Sequence, residues 1–278
     1  MPDNMVWFIT GCSSGIGRSV AVKALESGHR VIATSRNTDN LLEFKNDYKD
    51  QVLILNVDVT DSNQISEAVK STVDSFGSID VLVNNAGYGL AGALEEFTDE
   101  EMHENFDTNF WGAVNVTRQV LPVMRENRSG HIINISAGAA INNERGFSIY
   151  AASKAALDMV GEALCWELRP HGIKVTNVVP GPFRTDFINR SLKKAENRID
   201  DYDKTSGKFI EFLGKIDGKQ PGDPEKAADA VLAITKADKP PLYLYLGEYA
   251  YGSAEKKMKK MRKYLDDWED IGLKTDYD

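Results

Sequence analysis

The octapeptide TGCSSGIG, Thr10 to Gly17, decides the fold of this 278-residue chain. It follows a strand-length apolar run over residues 6–10 and precedes a stretch with helical spacing over 16–27. Glycines in such a turn let the backbone approach an anion closely. The helix start beyond them offers unpaired N–H groups and a partial positive charge. A plain tight turn would also use glycine, but the strand before and the helix after favour anion binding.

Working outward, short β-rich runs recur at 30–34, 52–57, 81–84, 131–136, 174–179 and, more weakly, 242–246. Several are continuously apolar, as strands covered on both faces must be. Helical spacing fills 64–76, 100–126 and 150–169. Strand-helix-strand repetition implies right-handed crossovers and a doubly wound parallel sheet of about seven strands with helices on both faces. The expected class is α/β, Rossmann-like. With no linker and no internal repeat, one domain over residues 1–278 is expected. Two regions depart from the rhythm. Residues 180–222 form a long insertion whose aromatics, Phe183, Phe187, Phe209 and Phe212, favour a substrate lid. The tail, 253–278, reads as a packing helix that turns acidic.

Bulk properties exclude several functions. A net charge of -9 with a pI near 5.1 argues against nucleic-acid or anionic-membrane surfaces. The basic run from Lys256 to Lys263, interrupted by Met258 and Met261, reads as the solvated side of an amphipathic helix. Two cysteines, Cys12 and Cys165, give no disulfide framework. His29, His103, His131 and His171 lack ligand spacing, so no metal is expected. No segment reaches the roughly 18 apolar residues of a membrane span, and no leader is apparent. A cytoplasmic setting is the expectation.

The glycine spacing G-x-x-x-G-x-G is characteristic of the short-chain dehydrogenase/reductase family, and the chain resembles that family along most of its length. Asp58 and Val59 resemble its adenine-contacting pair. Asn84-Asn85-Ala86-Gly87 resembles its NNAG element. Pro180, Gly181 and Thr185 resemble its Pro-Gly-x-x-x-Thr segment, whose threonine meets the nicotinamide carboxamide. TGCSSGIG, NNAGYG and QPGDPEKAA look like a bacterial subgroup related in pattern to hydroxysteroid and retinol dehydrogenases. The resemblance implies a dinucleotide held by Gly11, Ser13, Ser14, Gly15, Ile16, Gly17, Asp58, Val59, Asn85, Ala86, Gly87, Pro180, Gly181 and Thr185, with Tyr150 and Lys154 beside it. After the second run the chain reads Ala33-Thr34-Ser35-Arg36-Asn37. No carboxylate stands there to repel a 2′-phosphate, and Arg36 can hold one, so NADP(H) is expected over NAD(H).

Tyr150 and Lys154 are four apart and share one helix face. A free tyrosine, with a pKa of about 10, is a poor base at neutral pH. A fixed ammonium nearby favours phenolate and so makes it a proton-transfer group. Asn109 resembles the family's fourth catalytic position, whose backbone carbonyl anchors a water in a relay to the lysine. The family's substrate-facing hydroxyl usually lies thirteen places before the tyrosine. Here that place is Ala137, and Ser136 is one residue off. A one-residue slip on a strand reverses the side chain. Three explanations stand. A bulge in 137–148 restores Ser136 as the donor, the alanine is native with Asn142 or another donor replacing it, or the chain is a serine-to-alanine variant.

The expected function is NADP(H)-dependent interconversion of a carbonyl compound and an alcohol, the substrate small and moderately hydrophobic. The alternative is a catalytically impaired NADP(H)-binding sensor or scaffold, supported only by Ala137. The resemblance also implies a homodimer or homotetramer, with Phe110, Trp111, Leu157 and Trp166 as candidate contacts.

Overall fold

In the computed structural model, which describes residues 4–143 and 145–277, β-strands and helices alternate from the first turn onward. The strands are β1 Val6–Ile9, β2 Arg30–Ser35, β3 Val52–Asn56, β4 Val81–Asn84, β5 Gly89–Ala91, β6 Gly130–Ile135, β7 Ile173–Pro180, β8 Leu192–Lys194 and β9 Tyr243–Leu246. The helices are α1 Gly15–Glu26, α2 Leu42–Tyr48, α3 Ser62–Phe76, α4 Asp99–Phe106, α5 Ala113–Glu126, α6 Gly138–Ile141, α7 Ser148–Leu168, α8 Phe187–Arg190, α9 Lys208–Ile216, α10 Pro224–Lys236 and α11 Glu248–Gly272. Seven strands form one sheet in the order β3-β2-β1-β4-β6-β7-β9, every neighbouring pair parallel. Chain order reverses beside β1, and in such sheets ligands bind at the strand C-termini next to that reversal.

The continuous apolar runs are explained by two cores, one on each face. Trp7, Ile9, Val31, Val83 and Ile133 pack against α1 and α10 through Val20, Ala24 and Val231. Their neighbours in sequence, Val6, Phe8, Ile32, Leu82 and Ile132, pack the other way against α3 and α5 through Ile65, Val69, Val116 and Val120. Period-2 alternation is present, but both faces are apolar, so it cannot be seen in hydropathy. Helix starts follow capping chemistry. Asp61 accepts from the Asn63 and Gln64 N–H groups, Thr98 and Glu101 form a capping box, and Asp223 accepts from Glu225 N–H ahead of Pro224.

Three expectations change. The single helix over 100–126 is α4 and α5 joined by a π-helical turn, Asp107–Gly112. The tail does not pack as a helix beyond its root: Ala250, Ser253 and Ala254 are buried, and every described residue from 255 onward is exposed. Leu157 is 2% exposed and is core, not a subunit contact, whereas Trp111 and Trp166 are 51% and 71% exposed. The 180–222 insertion is ordered, containing α8, β8 and α9, and β8 pairs in parallel with β5 as a second two-stranded sheet.

Candidate active site

A cleft of about 900 Å³ lies across the C-terminal ends of the strands, from the glycine-rich turn at one end to α9 at the other. At the turn, Gly11 adopts φ +72 and Gly15 φ +61, the left-handed conformation open mainly to glycine. A Cβ on Gly11 would lie 2.9 Å from Ala86 Cα, so β4's continuation presses directly on the turn. Asn85 clamps the two: its side-chain amide donates to Thr10 O and Gly11 O at 2.9 Å each. Thr10 Oγ accepts from the Asn85 and Ala86 N–H groups at 3.0 Å. Helix α1 then begins without a side-chain cap on its N–H groups, and the hydroxyls of Ser13 and Ser14 bond to nothing among the described residues. Uncapped donors, a positive helix end and two glycines in the left-handed conformation fit a pyrophosphate.

The structure brings most of the expected residues to this cleft. Gly11, Ser13, Ser14, Gly15 and Ile16 line it, as do Arg36, Asp58 and Val59, then Asn85, Ala86 and Gly87, and finally Pro180, Gly181 and Thr185. Gly17 does not line it. A Cβ there would lie 2.2 Å from Asn85 Nδ2 and 2.7 Å from Gly11 O, so its part is to let α1 close on the turn. Thr185 crosses over the cleft to Gly15, its Cβ 3.5 Å from where a glycine Cβ would stand. Arg36 forms no ion pair among the described residues.

Tyr150 and Lys154 line the middle of the cleft from the first turns of α7. Burial pushes the Tyr150 phenol well above its ordinary value, so it carries its proton at neutral pH. Lys154 donates to Ile135 O at 2.9 Å, and burial brings it down to about 8, partly offset by the Asp158 charge. Desolvation is what raises the Tyr150 phenol here, while Lys154 is anchored on the β6 carbonyl. The pair is a neutral acid beside a cation at neutral pH.

Ser136 lines the cleft, but its hydroxyl is turned to Asp158. The β6–β7 register runs one to one from Gly130↔Ile173 to Ile135↔Val178, and Ser136 N–H continues it by donating to Val178 O at 2.8 Å. Its hydroxyl donates to Asp158 Oδ2 at 2.8 Å. The ladder carries no bulge as far as Ser136, and Ala137 stands beside it in the cleft lining, at the place where the resemblance puts the hydroxyl. Asn142 does not take over, since it caps α6 outside the lining.

Asn109 sits in the π-helical turn, fully buried and outside the lining. Its amide donates to Tyr88 O at 2.9 Å and Ser153 Oγ at 3.1 Å, and its Oδ1 accepts from Tyr88 N–H at 2.9 Å. A Cβ on Gly87 would lie 2.8 Å from Asn109 Oδ1 and 3.2 Å from Lys154 Nζ, so asparagine and lysine converge on that glycine. A π-helical turn is common at functional sites, where it re-aims one residue without breaking the helix.

Several contributors escaped the sequence reading. Asp158 stands one helical turn beyond Lys154, buried, its carboxyl pushed up to about 7 by desolvation. The signal was available, since 154 and 158 share the spacing that joined 150 and 154. Asn84, Asn134 and Asn177, at matched positions of β4, β6 and β7, bond side chain to side chain at 3.0 Å, and Asn177 donates to Asp158 O. Such a ladder needs the sheet register. At the far end an aromatic cluster closes the cleft: Phe147 lies 5.1 Å from Tyr150 and 4.8 Å from Phe209 between centroids, and Phe187 lies 6.0 Å from Tyr150.

Comparison with known proteins follows the same lines. A family model described as short chain dehydrogenase matches residues 5–196, well over half the chain. The chain is 36% identical over 269 residues to oxidoreductase BOA17 of Botryotinia fuckeliana, covering 96% of this chain and 98% of that one. It is 38% identical over 242 residues to a 3-ketodihydrosphingosine reductase of Bacteroides thetaiotaomicron, covering 86% of each. The crystal structure of a short-chain dehydrogenase from Streptomyces avermitilis superimposes with a TM-score of 0.93 at 37% identity, covering 99% of this chain and 100% of that one. Sequence, sheet order and cleft agree: the chain belongs to the short-chain dehydrogenase/reductase family of oxidoreductases.

Proposed function

We propose that this protein interconverts a moderately hydrophobic carbonyl compound and its alcohol, using NADP(H), with Tyr150 as the proton-transfer group. The observation that carries the reading is the placing of a protonated phenol and a buried ammonium between an anion-binding turn and an aromatic wall in one cleft. The bound nicotinamide supplies or accepts the hydride. Tyr150 gives its proton to the carbonyl oxygen during reduction, and Lys154, charged below pH about 8, stabilises the phenolate left behind. Arg36 at the adenosine end, flanked in sequence by Ser35 and Asn37, supports NADP(H) over NAD(H). Phe147, Phe187 and Phe209 favour an apolar substituent on the carbonyl. The name of the Bacteroides relative, a ketone reductase, agrees with that class.

With Ala137 in the lining and Ser136 held by Asp158, the phenol is the donor to the substrate oxygen in this arrangement. A second oxyanion donor is worth roughly 10²–10³-fold in other enzymes, so this chain should be slower than a relative with the hydroxyl. The test is NADPH oxidation with a panel of ketones of increasing chain length. Turnover should fall by about 10³ in Tyr150→Phe with cofactor affinity kept, and rise at least several-fold in Ala137→Ser. Tight NADPH binding with no reduction of any ketone by either the wild type or Ala137→Ser would favour the sensor reading instead.

A further inference from the structure

From Glu255 to the end of α11 the helix runs roughly 27 Å with every residue exposed. A lone helix of that length is marginal in water, and most helices persist because an apolar face is covered. This one carries such a face. Ala254, Met258, Met261, Leu265, Trp268 and Gly272 recur at alternating spacings of four and three, the seam of a two-helix coiled pairing. Met258, Leu265 and Trp268 are each 61–63% exposed, and Tyr264 and Ile271 widen the same stripe. Ala254 at the root is buried against the body, and from Met258 onward no other described element covers the stripe.

The charges name the partner. Six of the eight residues from Lys256 to Lys263 are basic, and four of the five from Asp266 to Asp270 are acidic. In the middle the two blocks neutralise each other along the helix: Arg262 pairs with Asp266, and Lys263 pairs with Asp267 at 2.6 Å. The ends are left over. Lys256, Lys257 and Lys259 on one side, and Glu269 and Asp270 on the other, form no ion pair among the described residues. The apolar stripe is centred near Lys263, between the blocks. An antiparallel copy rotated about that centre lays the unpaired basic end along the unpaired acidic end, twice by symmetry, while the apolar seams meet. A parallel copy sets like charges together. An anionic lipid surface would meet the acidic half, on a chain of net charge -9.

We propose that α11 is an assembly element, which pairs antiparallel with α11 of a second copy of this chain about a two-fold axis near residue 263. This surface is separate from Trp111 and Trp166. The pairing is small beside a standard interface of about 1,600 Å², so it adds to assembly and is concentration-dependent.

Sedimentation of the full chain tests it. The double variant Leu265→Glu, Trp268→Glu should halve the assembled mass at micromolar concentration while circular dichroism and NADPH-dependent activity stay unchanged. Lys256→Glu, Lys257→Glu should weaken association about tenfold. Adding Glu269→Lys, Asp270→Lys should restore it, which a merely solvated charged helix would not show. Orientation is read by oxidation in a Cys165→Ser background. Tyr264→Cys should cross-link between copies, and Leu273→Cys should not, since antiparallel copies hold those positions on the order of 25–30 Å apart. An unchanged mass in the double variant, or equal cross-linking at both positions, overturns the proposal. So does binding of α11 to phosphatidylserine vesicles that Leu265→Glu, Trp268→Glu abolishes without altering the mass.

Discussion

The two ends of the cleft are built differently. The turn at Thr10–Gly17 is a backbone structure: positive φ at Gly11 and Gly15, amide clamps from Asn85, and a helix start without a side-chain cap. The opposite end, formed by the 180–222 insertion with Phe147, is a side-chain structure of aromatic faces, tied to the body through β5–β8 and surface bonds such as Lys193 to Glu104 at 3.0 Å. A site made of backbone tolerates almost no substitution but reads any dinucleotide through its phosphates. A site made of aromatic faces tolerates many substitutions and sets what else can enter. The first therefore leaves a motif in sequence, and the second leaves only a composition.

The contrast can be broken in order of expected effect. Gly17→Val should be the most damaging, because the new side chain meets Asn85 Nδ2 and Gly11 O, neither free to move. Dinucleotide affinity by fluorescence titration should fall at least 100-fold, with a lowered melting temperature from about 1–3 kcal/mol of overpacking. Arg36→Ser should next cut kcat/KM for NADPH by about 10–100-fold and leave NADH within a few-fold, since a guanidinium–phosphate contact is charge-assisted. An equal loss with both cofactors would place Arg36 outside 2′-phosphate recognition. At the aromatic end Phe209→Ala should raise KM for the longer ketones several-fold and leave cofactor affinity unchanged, measured by steady-state kinetics.

The smallest effect concerns the buried charges behind the phenol. Lys154 is drawn down to about 8 and Asp158 up to about 7, both chiefly by desolvation, and the Asp158 charge supports the ammonium. The rate of reduction should fall as pH rises through about 8, where Lys154 loses its proton. Asp158→Asn removes the supporting charge, so that alkaline limb should move to lower pH in a pH–rate profile of kcat. The linkage for Asp158 has the opposite sign to that of an ion-paired carboxylate. Its folded value lies above 3.8, so the native state binds more protons between about pH 4 and 7, and wild-type stability falls as pH rises through that window. Asp158→Asn should flatten that slope in melting curves.

The sheet was legible because parallel strands buried on both faces must be largely apolar, and several of the seven runs in the expected sheet stood out on that ground. The glycine turn was legible because only glycine serves where φ is positive and a second chain segment lies within 3 Å. The π-helical turn at Asn109 was not, since its residues spell an ordinary amphipathic helix and only packing against Tyr88 and Ser153 shows why the ladder widens. Nor was the internal structure of the 180–222 insertion, whose β8 forms by pairing with distant β5.

Taken alone, the order of residues determined the α/β class, the glycine-rich turn, and the neighbouring phenol and ammonium, all local patterns within a few residues of chain. Tertiary structure alone decided which way Ser136 faces, that Asp158 lies behind Lys154, and which aromatics close the cleft. Each of those depends on the register of β6 against β7 and on segments tens of residues apart meeting in space, and local composition does not encode distance across a fold.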